Sequence, residues 1–511
     1  MEISIPVELD TTSLQHVFSF LSTNDLVLSV KPLSKTFRQF VESTLGSKAS
    51  RLSASADVPS WALPTLALTS LTYLNKKQLM YIAAKGGRLQ TLQWAREQGC
   101  PWDCSVSKAA AEGGHLAVLQ WLMQVGCPWD ARTCEEAAKS GHLEVLQWAL
   151  QNGCPREYSF ELYSVCWAAA QSGKLDVLQC ARSNGCLWDH RTCEAAAGSG
   201  NLLMLQWARD NGCPWGGCTC TAAAESGHLE LLQWARRNGC PWYEDTCEAA
   251  AEGGHLAVLQ WAKSNGCPWD ESACLGAAWY EHLDLLKWLR KQGCPWNERT
   301  CDGAARGGYL DILMWARHEG CRWNAETCSA AAGEGHLEML QWARANGCPW
   351  DSRTCAFAAR GGHLGVLQWL RGEGCPWDAK TCLYAARHPL PLLRWARENG
   401  CEWDARTCAA AARAGRLDVL QWARDNGCPW DAETCSEAAT RGYFELLQWA
   451  RDNGCPWDAE TCSVAAAGGY FELLQWARDN GCPWDAGEVW RRAAANEHMD
   501  IVQWVEEQVN S

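Results

Sequence analysis

No run of about 18 apolar residues occurs in the 511-residue chain, so no membrane-spanning helix is expected. The first residues carry Glu2, Glu8 and Asp10 without a basic stretch, which does not fit a secretory leader. Positive charge is in short supply: 45 Lys and Arg stand against 59 Asp and Glu, a formal net charge of −14. That balance argues against nucleic acid or an anionic membrane surface as the main partner. Phosphate-loop signatures are missing too. Gly-Lys-Ser/Thr does not occur, and no strand, glycine-rich loop and helix follow one another. A zinc site finds no complete ligand set. Cys213, Cys218 and Cys220 have no fourth ligand nearby, and structural zinc needs four.

What is abundant is cysteine, tryptophan and glycine, at a fixed period. A 27-residue unit recurs about sixteen times; one copy runs from Thr434 to Glu460 and the next begins at Thr461. A period of this length marks a solenoid, whose units are too small to fold alone and bury their apolar faces on their neighbours. The 31 cysteines fall into two periodic classes, one after a glycine (Gly427-Cys428) and one after a threonine (Thr434-Cys435). Without a leader, they read as reduced thiols acting as small hydrophobes in an intracellular compartment, cytoplasmic or nuclear.

Each unit encodes two helices. Asp431 is an N-cap, flanked by Trp430 and Cys435 as a hydrophobic staple. The first helix runs through Cys435, Ala438 and Ala439 to a left-handed terminator at Gly442. The second places Phe444, Leu446, Leu447, Trp449 and Ala450 on one stripe and ends at Gly454. Two tryptophan series, one on the second helix (Trp94 to Trp504) and one before the N-cap (Trp102 to Trp484), are expected to be core. Eight of the twelve histidines share one position, where other copies hold Arg88, Lys174, Asn201, Tyr309, Arg416, Tyr443 or Tyr470. A site that tolerates such variety is not expected to be catalytic or metal-binding. The chain is therefore read as a non-enzyme without a cofactor.

The run from Ala137 to Leu146 resembles the heart of an ankyrin repeat. The unit is some six residues shorter than ankyrin's ~33, and Pro-Trp-Asp stands where the hairpin finger would protrude. The resemblance implies an all-α, helix-turn-helix ladder over residues 75–511 without long β-hairpin fingers.

Residues 1–50 lack the period. Ile5-Pro6-Val7-Glu8-Leu9, Val17-Phe18-Ser19-Phe20-Leu21, Asp25-Leu26 and Leu33-Ser34-Lys35-Thr36-Phe37-Arg38 together resemble an F-box. Residues 51–74 read as a linker or capping helix. The F-box resemblance implies docking on the Skp-type linker subunit of a cullin-RING ubiquitin ligase through Pro6, Leu9, Leu14, Val17, Phe18, Leu21 and Leu26. The protein would then be a client-recognition adaptor, with the array holding the client protein. Two alternatives stay open. The N-terminus would be a plain cap on a scaffold, a need every solenoid has, or the cysteine ladder would respond to redox state or metal.

Irregular copies point to client contacts. Pro155 to Tyr163 is an insertion carrying Tyr158, Phe160 and Tyr163, read either as drift or as a recognition hot spot. The copy around Ala386 to Leu393 lacks one residue and has two prolines where the second helix begins. In regular copies the residues after the first-helix cysteine vary, Glu135 and Glu136 among them, as recognition or simple exposure would allow.

Overall fold

The computed structural model describes residues 73–156 and 164–510. The F-box-like segment, its seven named contact residues, and Tyr158, Phe160 and Tyr163 lie outside these. Among the described residues there are 32 helices and no strand. They form sixteen pairs, from Tyr73–Lys85 with Leu89–Glu97 to Ala486–Ala495 with Met499–Asn510. The described residues divide into two compact units, 73–246 with Gln260–Cys267 and Cys247–Leu259 with 268–510. The described part of each consists of the same helix pair repeated.

Local chemistry sets the pair. Asp431 is extended (φ −143°) and its carboxylate accepts from the backbone N–H of Glu433 at 3.1 Å, opening the helix Ala432–Thr440. Gly442 is left-handed at φ +69°, which reverses the chain into the second helix, Phe444–Asp452. The N–H of Tyr443 donates back to Ala438 O at 3.0 Å, so the terminus keeps its bonds. Asn297 and Asn324 cap as aspartate does, while Gly216 supplies no side chain.

The core is made of small and aliphatic residues. Cys435, Ala438, Ala439, Leu447, Ala450 and Cys455 are fully buried, and this set repeats from pair to pair. Alanine and cysteine allow the first helices of neighbouring pairs to pack closely, which larger side chains would prevent.

The tryptophans are not this core. Throughout the described residues they are half-buried, and Trp279 and Trp490 are exposed. The turn tryptophan meets the second-helix tryptophan of its own pair, edge to face in most pairs, as Trp430 meets Trp449 at 6.0 Å, and tilted at Trp129–Trp148 and Trp484–Trp504. In most pairs an arginine lies over its other face, as Arg424 does over Trp430 at 4.0 Å while its guanidinium donates to Cys428 O; Met123 and Lys263 stand at that position before Trp129 and Trp269. An indole is too large for the space between closely packed helices. It fits at the turn, where an arginine stem covers it.

Candidate binding surface

The recurring histidine has a structural task. The ring of His336 faces Gly308 of the preceding pair, and its Nε2 donates to Arg306 O at 3.2 Å. The same bond runs from His115 to Lys85 O, from His142 to Glu112 O and from His282 to Glu252 O, at 2.9–3.1 Å. Lys174 Nζ and Asn201 Nδ2 reach instead the carbonyl of the left-handed glycine two residues on, Gly141 O and Gly173 O, at 2.9 and 2.8 Å. Where histidine, lysine or asparagine stands there, the position supplies a donor of sufficient reach; Arg416 instead meets Asp418 at 3.2 Å, and the rings of Tyr443 and Tyr470 cover Gly415 and Gly442 of the preceding pair. His388 belongs to the series as well, donating to Arg360 O at 2.8 Å. The one-residue deletion in its repeat hid it from the period.

The cysteines pair across nineteen intervening residues, not across six. Cys274 hydrogen-bonds Cys294 of the same pair, and Cys294 Sγ donates to the N-cap carbonyl of Asp270 at 3.3 Å. The bond to Cys294 and burial push the Cys274 thiol far above the free-cysteine range; Cys301 behaves alike beside Cys321. Every cysteine is a free thiol, and all but Cys104, Cys180 and Cys218 are buried. Among the described residues no three His, Cys, Asp or Glu side chains are placed to share a metal ion. No described helix is long and apolar enough to cross a membrane.

Variation is concentrated on the exposed edge of the first helices. In its last turn one equivalent position is Lys139, Glu225, Trp279, Arg306, Arg360 and Thr440 in turn, each exposed. Glu135 and Glu136 lie one turn earlier, both half-buried. Glu136 is occupied by Lys108 of the preceding pair at 3.2 Å. Trp279 and Tyr280 were not singled out from the sequence. They form an exposed stack, centroids 6.4 Å apart, at one of the two described junctions where glutamate takes the left-handed place of glycine, Glu281 at φ 71° here and Glu497 at φ 62° in the last pair. The loss of the Gly-Gly pair was the available signal.

The copy with two prolines is regular at its second helix. Pro389 is the N-cap and Pro391 lies in the first turn of Leu390–Glu398, where no helical N–H is lost. A hollow of about 270 Å³ opens there, lined by Leu364, Leu390, Pro391, Arg394, Trp395 and Glu398.

No family model matches the chain, and no curated protein matches it. Among solved structures it is similar to the pentatricopeptide repeat protein PPR10 in complex with an 18-nt psaJ RNA element, at 12% identity, 88% of both chains and a TM-score of 0.31. A cysteine-to-serine variant of that complex gives 11% identity, the same coverage and 0.31. The pentatricopeptide repeat protein PPR10 from maize gives 12% identity over 96% of this chain and 99% of that one, with 0.27. The likeness is one of helical repeats and assigns no ligand to this chain. It does correct the expectation drawn from net charge. Two of these helical-repeat structures hold RNA, so the exclusion of nucleic acid as a partner does not stand.

Proposed function

We propose that the chain is a non-catalytic binding protein whose repeat array holds a macromolecular partner along the exposed edge of its first helices. One observation carries this reading: a buried set of small and aliphatic residues, with few exchanges such as Ser107 for cysteine and Leu122 for alanine, repeats beneath an edge position that changes from lysine to glutamate, tryptophan, arginine and threonine. A fixed core with a variable rim lets each repeat contribute its own contact without disturbing its neighbours.

The finer reading is that of a ubiquitin-ligase adaptor of ankyrin-like repeats, with residues 1–50 as F-box module, 51–74 as linker and 75–511 as client-binding array. Its support is the motif series from Ile5 to Arg38. A helical module of this size has too little core to stand alone and gains stability on a partner. The array would bring the client close to the charged enzyme, so proximity is its contribution.

Co-expression of the full chain with a Skp-type linker protein tests the adaptor. Co-elution that disappears in Leu9→Ala/Leu21→Ala is the expected result. Absence of co-elution for the wild-type chain rejects the adaptor and leaves the array's own binding to be measured separately.

A further inference from the structure

One pair of neighbouring repeats departs from the pattern in several ways at once. In the first helices Ser352–Gly361 and Ala379–Ala385 the position before the buried alanines is aromatic, Phe357 and Tyr384. Most equivalent copies hold alanine or glycine there (Ala109, Ala195, Ala222, Ala249, Gly276, Gly303, Ala330, Ala410), and others hold Glu136, Glu437 or Val464; no other described copy is aromatic. Three residues on stand Arg360 and Arg387, both exposed. Arg360 lies over Phe357 at 5.7 Å and Arg387 over Tyr384 at 5.3 Å. The flanking arginines of the same column are occupied: Arg306 meets Glu326 and Arg413 meets Glu437, each at 3.4 Å. Neither Arg360 nor Arg387 has a carboxylate partner among the described residues.

The hollow opens on the same two pairs. Leu364 and Leu390, which line it, follow Arg360 and Arg387 by four and three residues. Arg394 on its wall stands where most copies carry glutamine, and Pro391 stands where Asp418, Glu445 and Glu472 stand elsewhere. A chain with net charge −14 thus carries, on two neighbouring helix pairs, Arg360 and Arg387 over two aromatic rings, and an apolar recess walled by Glu398 and by Arg394, which itself lies over Trp422 at 5.8 Å.

We propose that helix pairs 352–372 and 379–398 bind a short acidic peptide segment of a partner protein. Its carboxylates meet Arg360 and Arg387, and an adjoining apolar side chain enters the recess. This rests on the reading of the array as a binding surface and is independent of the N-terminal module. Carboxylates suit guanidinium groups through paired, charge-assisted hydrogen bonds. Aromatic and arginine side chains are those that dominate binding energy at protein interfaces. A nucleic-acid strand fits less well. Its affinity comes from many phosphates neutralised at once, and here the arginine column is broken at Gly333 and neutralised at both flanks.

The test is selection from a phage-displayed library of random peptides on the full chain. Four proteins are compared: wild type, Arg360→Glu/Arg387→Glu, Pro391→Glu and the charge-matched control Arg237→Glu/Lys291→Glu. Circular dichroism establishes that each is folded. Selected peptides should be rich in Asp and Glu with an apolar neighbour. Their affinity by fluorescence anisotropy should fall at least ten-fold in Arg360→Glu/Arg387→Glu and several-fold in Pro391→Glu, and hold in the control. Pro391→Glu installs the acidic residue that regular copies carry, so it keeps the helix while filling the recess. Selected peptides without acidic residues, or affinities unchanged by Arg360→Glu/Arg387→Glu, would overturn this site while leaving the array a binding protein. No selectable peptide, with tight binding of oligo-uridine lost in the same variant, would replace the peptide by nucleic acid. Binding of neither probe would reject the array's binding role itself.

Discussion

At the scale of the residue, similar side chains carry opposite values according to what lies one repeat away. Gly308 and Gly320 are both left-handed, at φ +82° and +83°. A methyl at Gly308 would sit 2.6 Å from the ring of His336, whereas at Gly320 it meets nothing within 4 Å. Gly320→Ala should therefore show only the left-handed term, about 1–2 kcal/mol. Gly308→Ala should lose more, and combining it with His336→Ala should reveal a coupling between the two sites. Urea denaturation of the wild type, Gly320→Ala, Gly308→Ala, His336→Ala and the double variant checks it; equal losses for the two glycines would mean that the ring does not seal the joint. Threonines give a second pair. Thr300 is fully buried and its hydroxyl has no hydrogen-bond partner, so Thr300→Val should stabilise by about 1 kcal/mol. Thr327 donates to buried Asp302 at 2.6 Å, so Thr327→Val should destabilise. Burial raises the Asp302 carboxyl above its usual range. A carboxyl raised in the folded state stabilises most while protonated, and that contribution disappears as pH rises through its folded pKa. Thermal melts should accordingly show Thr327→Val losing more at pH 7.5 than at pH 4.

At the scale of the element, much was legible and the reasons for the gaps are physical. Asp at the N-cap and Gly at the junction act within a few residues, so Asp431, Gly442 and Gly454 could be read directly from the chain. Burial could not. Hydrophobic spacing marks a stripe but not which member of it faces the narrow joint, and the indoles were read as core when cysteine and alanine fill it. The histidine bond was equally hidden, because its acceptor carbonyl lies about 30 residues back. Of the candidate site, the irregular copy around Pro389 drew notice in the sequence, but Arg360 and Arg387 did not. Their distinction is the lack of a carboxylate, which only the fold reveals. Capping makes the local part measurable. Asp351 accepts from the N–H of Arg353 at 2.9 Å, so Asp351→Ala should cost about 1 kcal/mol. Gly216 holds the same extended conformation without a cap, and Gly216→Asp should gain a few tenths of a kcal/mol. Differential scanning calorimetry of both variants should give opposite signs; a loss in Gly216→Asp would show that the cap is not limiting there.

For the whole molecule, the consequence of building a core from thiols is that the core reports its own opening. All but Cys104, Cys180 and Cys218 of the 31 cysteines are buried, and burial pushes even half-buried Cys218 up to about 11. A thiol reacts as thiolate, so native labelling with an aromatic disulfide at neutral pH should be slow and confined to those three at first. Later labelling requires opening. In a stack where each repeat touches only its neighbours, opening begins where a repeat has one neighbour and moves inward. Cys482, beside the last helix pair, should therefore react before Cys455, and Cys455 before Cys328, each identified by peptide mass. The gradient should steepen in mild urea and vanish in strong guanidinium, where all 31 thiols react. Simultaneous labelling along the C-terminal unit would mean that it opens as one cooperative body. Fewer than 31 reactive thiols in denaturant would mean that some are oxidised, and the thiol core would then have to be redrawn as a set of disulfides.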